Sequence, residues 1–314
     1  MNFTPGDSNI TTAVNYWDTF NMAVGKNVAV VVLGITINYI NATMVHTFNK
    51  HHFFKANPRY ILFIHLVFND MIQLTTSISL FIFSYAFNTV YVPVCILLIL
   101  PAILTTQNTP LNLAFMAAEC YVAVCIPLRY NYICTARRTY LVIGIIWATS
   151  SLSVLPDVFM LLATEPLQFL HSRVYCYRDA VFRSTYSLKK RDASHILFLV
   201  VVWLSLFYTY FRILLVAKAA HAEAKKARNT ILLHGFQVLL CMMVYVQPML
   251  HQLLTKLFPG DDRFIKFAIF TINQILPRFV SPIVYGLRDK TFRKFFKRYL
   301  CRSNNRPKTT TTIS

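Results

Sequence analysis

The 314-residue sequence predicts an all-α fold: a seven-transmembrane helix bundle followed by a short amphipathic helix on the membrane surface. Three observations lead there. The chain is 56% hydrophobic and only 14% charged, against roughly a quarter charged in a soluble domain. Its mean hydropathy is +0.48, and the apolar residues gather into seven long stretches. The 31 Lys and Arg, which outnumber the 12 Asp and Glu to leave a net charge of +19, lie almost wholly between those stretches. This pattern argues against a soluble enzyme, a disordered chain and a nucleic-acid partner. With 7 Gly and 7 Cys the chain is neither collagenous nor a disulfide-dense scaffold.

A hydrocarbon core about 30 Å thick needs about 20 apolar residues per helix. Residues 23–46, 60–87, 94–119, 140–162, 195–217, 229–254 and 264–287 satisfy that length. The expected organisation is an extracellular N-terminus (1–22), a seven-transmembrane domain (23–287), an amphipathic cytoplasmic helix (288–301) and a disordered tail (302–314). Residues 1–22 hold neither Lys, Arg nor an apolar run, so the first span is expected to act as an uncleaved signal anchor.

The third span carries Thr105, Thr106, Gln107, Asn108 and Thr109 in succession. Five adjacent polar residues cover every face of a helix, which places this span at the centre of the bundle. Between spans five and six, the Ala-rich basic run from Ala219 to Arg228 predicts helices that continue past the membrane. Pro248 and Pro282 are expected hinges. After Arg288, Phe292, Phe295, Phe296 and Tyr299 alternate with basic residues at helical spacing, so this segment should lie on membrane lipid with its rings buried in the inner leaflet. Cys301 at its end is a candidate for palmitoylation.

With the N-terminus outside, cytoplasmic segments hold 19 Lys and Arg and external segments 10, the asymmetry of a multi-pass plasma-membrane protein with its C-terminus inside. Asn2 and Asn9 then head external glycosylation sequons, whereas the one at Asn41 falls inside a span and should be silent.

Glu119-Cys120-Tyr121, continuing to Arg129-Tyr130, stands at the end of span three. Lys226 to His234 opens span six, and Ser281-Pro-Ile-Val-Tyr285 closes span seven. Asn38, the stretch Pro58 to His65, and Asn69-Asp70 complete the set. In this order, over almost the whole chain, these motifs resemble the rhodopsin-like (class A) G-protein-coupled receptors, and within them a fish odorant-receptor subgroup. Two positions depart from the family pattern: Cys120 stands where Arg is usual, and Ser281 where Asn is usual. Both belong to the activation machinery.

The resemblance implies a disulfide between Cys95 and Cys176 on the external side. It implies an interior polar network at Asp70, and the extra charge on span seven suggests that Arg278 pairs with Asp70, with Asn38 and Ser281 completing the hydrogen bonds. It implies a ligand cavity in the outer half of the bundle. Ile103, Thr106 and Gln107 follow helical i, i+3, i+4 spacing on span three, facing Tyr245 and Gln247 on span six and Thr271 and Gln274 on span seven. An alternative reading makes these polar groups interhelical links. The implied partners are a small-molecule odorant and a heterotrimeric G protein that raises cyclic AMP, coupled through Glu119, Cys120, Tyr121, Tyr285, Lys226 and Arg228. No cofactor and no metal is implied.

Other function classes remain open at this point. The loss of Arg at Cys120 is compatible with a non-signalling or decoy receptor. A ligand-gated channel or a transporter is a further alternative, although the sequence holds no internal repeat. The histidines have no Ser or carboxylate partner at motif spacing, so an enzyme is not expected. His51-His52 reads as a solvated loop pair.

Overall fold

A computed structural model of the chain describes residues 6–86, 89–219, 262–281 and 290–302, and in the sixth stretch residues 232, 235, 236, 239, 240, 243, 246, 247 and 249–258. The fold is all-α. Among the described residues, five helices are long and apolar enough to cross a membrane: Val24–Lys50, Pro58–Phe83, Val92–Cys125, Ala136–Thr164 and Ile196–Val216. Their outward sides carry apolar residues such as Ile35, Leu97, Leu152, Phe159 and Leu204 in exposed positions. A sheath of that extent needs lipid rather than water around it.

Span one begins where it is expected, at Val24, but the helix that carries it starts earlier. Its helix runs from Gly6 to Lys50 without a break, about 68 Å at 1.5 Å per residue, so it is far longer than the hydrocarbon core. Span two is Pro58–Ala86, span three Val92–Cys125, span four Ala136–Thr164 and span five Thr185–Ala219. Span four starts on a capped turn, where the Thr135 side chain accepts from the Arg138 backbone N–H. Span seven is interrupted: an α-helix over Asp262–Phe270 passes into a π-helical turn over Thr271–Ile275 and resumes over Leu276–Ser281.

Span three packs against spans two, four and five, the central place its polar run requires. Thr105, Gln107, Asn108 and Thr109 are all buried. At one end of the bundle a short antiparallel ladder pairs Val90 with Val174 and Tyr91 with Arg173. There the loop between spans four and five folds back, and Phe169, Val181 and Phe182 bury themselves beside Cys95, Ile99 and Leu161.

At the opposite end the terminal helix Lys290–Arg302 docks onto the bundle. Phe292 lies against Phe54, Tyr60 and Phe63, with ring centroids 5.3, 6.2 and 5.5 Å apart. Phe292 is 1% exposed and Phe296 4%. This corrects the sequence expectation for those two rings, which bury in the protein's own core rather than in the leaflet. The short helix His52–Ala56 between spans one and two supplies Phe54 to receive them. His51 is likewise no solvated loop residue: its ring lies 4.2 Å from that of Phe295.

Candidate functional site

The disulfide Cys95–Cys176 joins span three to the folded-back loop, with Cα atoms 5.4 Å apart across 81 residues of chain. Val92 N–H donates to the Ser172 carbonyl at 3.2 Å beside it. The bridge and the ladder hold the loop over the end of span three. Cys120, Cys125 and Cys134 are free thiols.

Beneath that loop, polar side chains of spans two, three and seven form one hydrogen-bonded cluster. Gln73 Nε2 donates to Gln274 Oε1 at 3.2 Å, and Ser77 Oγ donates to the same oxygen at 3.3 Å. Thr106 Oγ1 donates to Gln73 Oε1 at 3.1 Å, and the Thr105 hydroxyl reaches the same acceptor. The structure therefore brings Thr106 and Gln274 together through Gln73, a residue that sequence reasoning passed over. Gln107 goes elsewhere: its Nε2 donates to Ser153 Oγ on span four at 3.3 Å. This corrects the expectation of a single lining from Ile103, Thr106 and Gln107. Consecutive helical residues diverge by about 100°, so Thr106 faces span two while Gln107 faces span four. Ile103 packs against the apolar cluster under the loop, and Thr271 Oγ1 donates to its own helix at the Phe267 carbonyl, 2.9 Å away. Gln247 is half-buried on span six.

One layer further in lies a buried charge pair. Arg278 Nε stands 4.0 Å from Asp70 Oδ1, and both side chains are 2% exposed. Arg278 Nη1 also donates to the Asn273 carbonyl at 2.7 Å. That carbonyl has a local reason to need a donor. Pro277, four residues on, has no N–H to give it, and the π-helical turn loosens the helix at the same point. One guanidinium thus answers a span-two carboxylate and a carbonyl of its own helix. Pro277 was the overlooked signal here. On the neighbouring face Asn108 Nδ2 donates to Asn69 Oδ1 at 3.4 Å.

Asn38 does not join this pair. Its Nδ2 donates to Thr75 Oγ1 at 3.0 Å, and the wholly buried asparagine of span one is Asn41. Three residues separate the two along the helix, enough to rotate them onto different parts of the face.

At the other end of span three Glu119 is buried and doubly held. Arg59 donates through Nε to Oε2 and through Nη2 to Oε1, both at 3.3 Å, and Tyr130 Oη donates to Oε1 at 2.7 Å. The two-pronged geometry is the one a guanidinium makes best with a carboxylate. Burial, and then the Glu119 carboxylate, push the Tyr130 phenol above its usual range, so it stays a donor. The same two causes raise the Cys134 thiol. Cys120 is buried against Ile213 of span five, and Tyr121 lies 6.0 Å from the Tyr208 ring. Neither Arg59 nor Tyr130 was singled out from sequence as a Glu119 partner. Tyr245, Tyr285, Lys226, Arg228 and Asn2 lie outside the described residues, as do the side chains of Asn9 and Ser281.

A long-helix bundle with a disulfide-pinned loop at one end and a held carboxylate at the other defines a class. Residues 40–285 match the family described as 7 transmembrane receptor (rhodopsin family), and the chain belongs to that family. It is a multi-pass membrane receptor, not an enzyme. Within the family its relatives are chemosensory. It is 33% identical over 278 residues to Odorant receptor 131-2 of Danio rerio, covering 87% of this chain and 85% of that one. It is 30% identical over 196 residues to Olfactory receptor 51T1 of Homo sapiens, covering 58% of this chain and 57% of that one. To human Olfactory receptor 52R1 it is 26% identical over 263 residues, covering 80% and 81%.

Proposed function

We propose that this receptor binds a small external odorant in the disulfide end of the bundle and activates a heterotrimeric G protein that raises cyclic AMP. The 33% identity to an odorant receptor along 87% of the chain carries this reading. The N-terminus lies outside, at the disulfide end, and Asn2 and Asn9 are glycosylated there. The ligand rests under the loop, against Ile103 and Thr271. It exchanges hydrogen bonds with the Gln73, Thr106 and Gln274 cluster, and Tyr245 and Gln247 close the site from span six. A ligand hydroxyl that inserts between two of these groups can answer both, whereas an apolar ligand that parts them leaves each unpaired, which favours selectivity over bare affinity. Ligand binding shifts the bundle between two arrangements and opens the opposite end for the G protein. There Glu119, Cys120, Tyr121, Tyr285, Lys226 and Arg228 form the coupling surface.

A second reading, a receptor that binds ligand without signalling, is favoured by one observation: Cys120 is buried against Ile213, and Glu119 is bound by Arg59 instead of by a neighbour on its own helix. Cyclic AMP in cells challenged with amino acids, bile acids, steroids and amines separates the two. Activation of the wild type by at least one ligand, reduced by Thr106→Val or Gln274→Leu, supports the first. Activation of Cys120→Arg alone supports the second.

A further inference from the structure

We propose that a cleft between the end of span four and the start of span five, at the disulfide end, binds a small zwitterion of the α-amino acid class. Glu165 takes its ammonium group and Arg183 its carboxylate. The cleft shares no lining residue with the Gln73, Thr106 and Gln274 cluster.

Span four ends at Thr164 and span five begins at Thr185. On the inner side of the cleft Asp157 is 2% exposed and already answered twice. Lys190 Nζ stands 3.1 Å from its Oδ1, and Arg178 Nη2 stands 3.4 Å from its Oδ2. Lys190 Nζ also donates to the Ser153 carbonyl at 2.8 Å. These contacts tie span four, the loop and span five into one wall, and they leave the Asp157 charge spent. Leu161 and Phe182 bury beside it.

Two opposite charges on the same cleft are not spent. Glu165 directly follows span four and Arg183 comes two residues before span five; both line the cleft. Among the described residues neither forms an ion pair, with the other or elsewhere. A ring holds Arg183 instead, with its guanidinium 4.0 Å from the Phe169 centroid. Ser187 lines the cleft at 4% exposure, and its hydroxyl has no hydrogen-bond partner among the described residues. A buried hydroxyl left so costs free energy, which a ligand oxygen would recover. Ser184 stands nearby at the N-terminal end of span five, where helix N–H groups favour negative charge. A carboxylate at Arg183 and the two hydroxyls, with an ammonium at Glu165, answers all four groups at once. A ligand of one charge answers only part of them. The space between the walls is about 200 Å³ counted to the open mouth, below the roughly 300–1,000 Å³ of drug-sized sites. The occupant is therefore small, and it keeps one side in water, which suits a polar molecule.

The test is ligand-observed saturation-transfer NMR on the purified full-length receptor in detergent. The probes are L-alanine, propionate and ethylamine; the last two each lack one of alanine's charged groups. We expect saturable binding of L-alanine to the wild type, with propionate and ethylamine at least about tenfold weaker. Glu165→Gln should bring alanine down to the affinity of propionate, and Arg183→Gln down to that of ethylamine. Ser187→Ala should weaken alanine roughly threefold. All three variants should keep the wild-type thermal midpoint, since none touches the Asp157 wall. No saturable alanine signal at concentrations that would fill a millimolar site overturns the proposal. So does propionate or ethylamine binding as tightly as alanine, or alanine binding untouched by both charge substitutions. The comparison of the three probes uses the wild type alone, so a variant that failed to fold leaves the test intact. Detergent solution exposes both ends of the bundle, so failure here leaves the orientation and the odorant reading standing.

Discussion

Asp70 and Arg278 show what a single residue can disclose in a membrane protein. A buried ion is so costly unless paired that the Arg on span seven pointed to a partner before any geometry was known, and the structure brings the two side chains together. Removing one charge leaves the other uncompensated, at about 3–5 kcal/mol. Asp70→Ala and Arg278→Ala should therefore each abolish most surface expression, measured by flow cytometry of an external tag, and Asp70→Arg with Arg278→Asp should restore part of it. No rescue would show that the pair is not what the two residues contribute. Asn38 was misassigned because one polar residue per turn on an apolar helix does not reveal which turn faces inward; Asn41, three residues on, takes the buried place. Glu119 carries a second residue-scale expectation. The raised Tyr130 phenol contributes its hydrogen bond fully below the ordinary tyrosine range, near pH 10, and loses it only as pH climbs through the higher folded value. Ultraviolet titration of wild type against Tyr130→Phe should thus show no tyrosinate from Tyr130 until after the exposed tyrosines have ionised.

At the scale of elements, lengths and apolarity were legible, since a bilayer imposes both, whereas partners were not. Span three could be placed at the centre because its polar run leaves no face for lipid, but nothing in that run told Thr106 from Gln107; only the packed neighbours do. The terminal helix was read as amphipathic correctly, and its apolar face was then given to lipid when the bundle takes Phe292 and Phe296. The missing information was Phe54, in the connection where only His51-His52 had been read, as a solvated pair. Phe292→Ala should cost about 3–5 kcal/mol if the cavity stays open. The cheaper response is local release, so hydrogen exchange over residues 290–302 should speed up at least tenfold while the spans keep their protection. Unchanged exchange would mean that the aromatic cluster does not hold the helix. The disulfide was implied by the family pattern, and its loss in Cys95→Ser should lower stability by about 2–4 kcal/mol, visible as a lower thermal midpoint in detergent.

Across the whole molecule, composition alone announced a membrane bundle, and the family match over residues 40–285 gives its class. Epitope tags at the two termini should stain from opposite sides of intact cells, the N-terminal one without permeabilisation; staining of both from one side would break the seven-span account. Signalling must proceed through an unusual end of the bundle, where Cys120 replaces the expected Arg and Arg59 reaches across from span two to Glu119. That pair is worth under about 1 kcal/mol, given that the Arg59 side chain is 52% exposed, so it can open without a large cost when a partner docks. The decisive measurement is odorant-stimulated nucleotide exchange on a stimulatory G protein by the purified wild-type receptor in nanodiscs. The account predicts a several-fold, saturable rise with an active ligand, blunted by Gln274→Leu. Ligand binding with no exchange by the wild type, alongside exchange by Cys120→Arg, would contradict it.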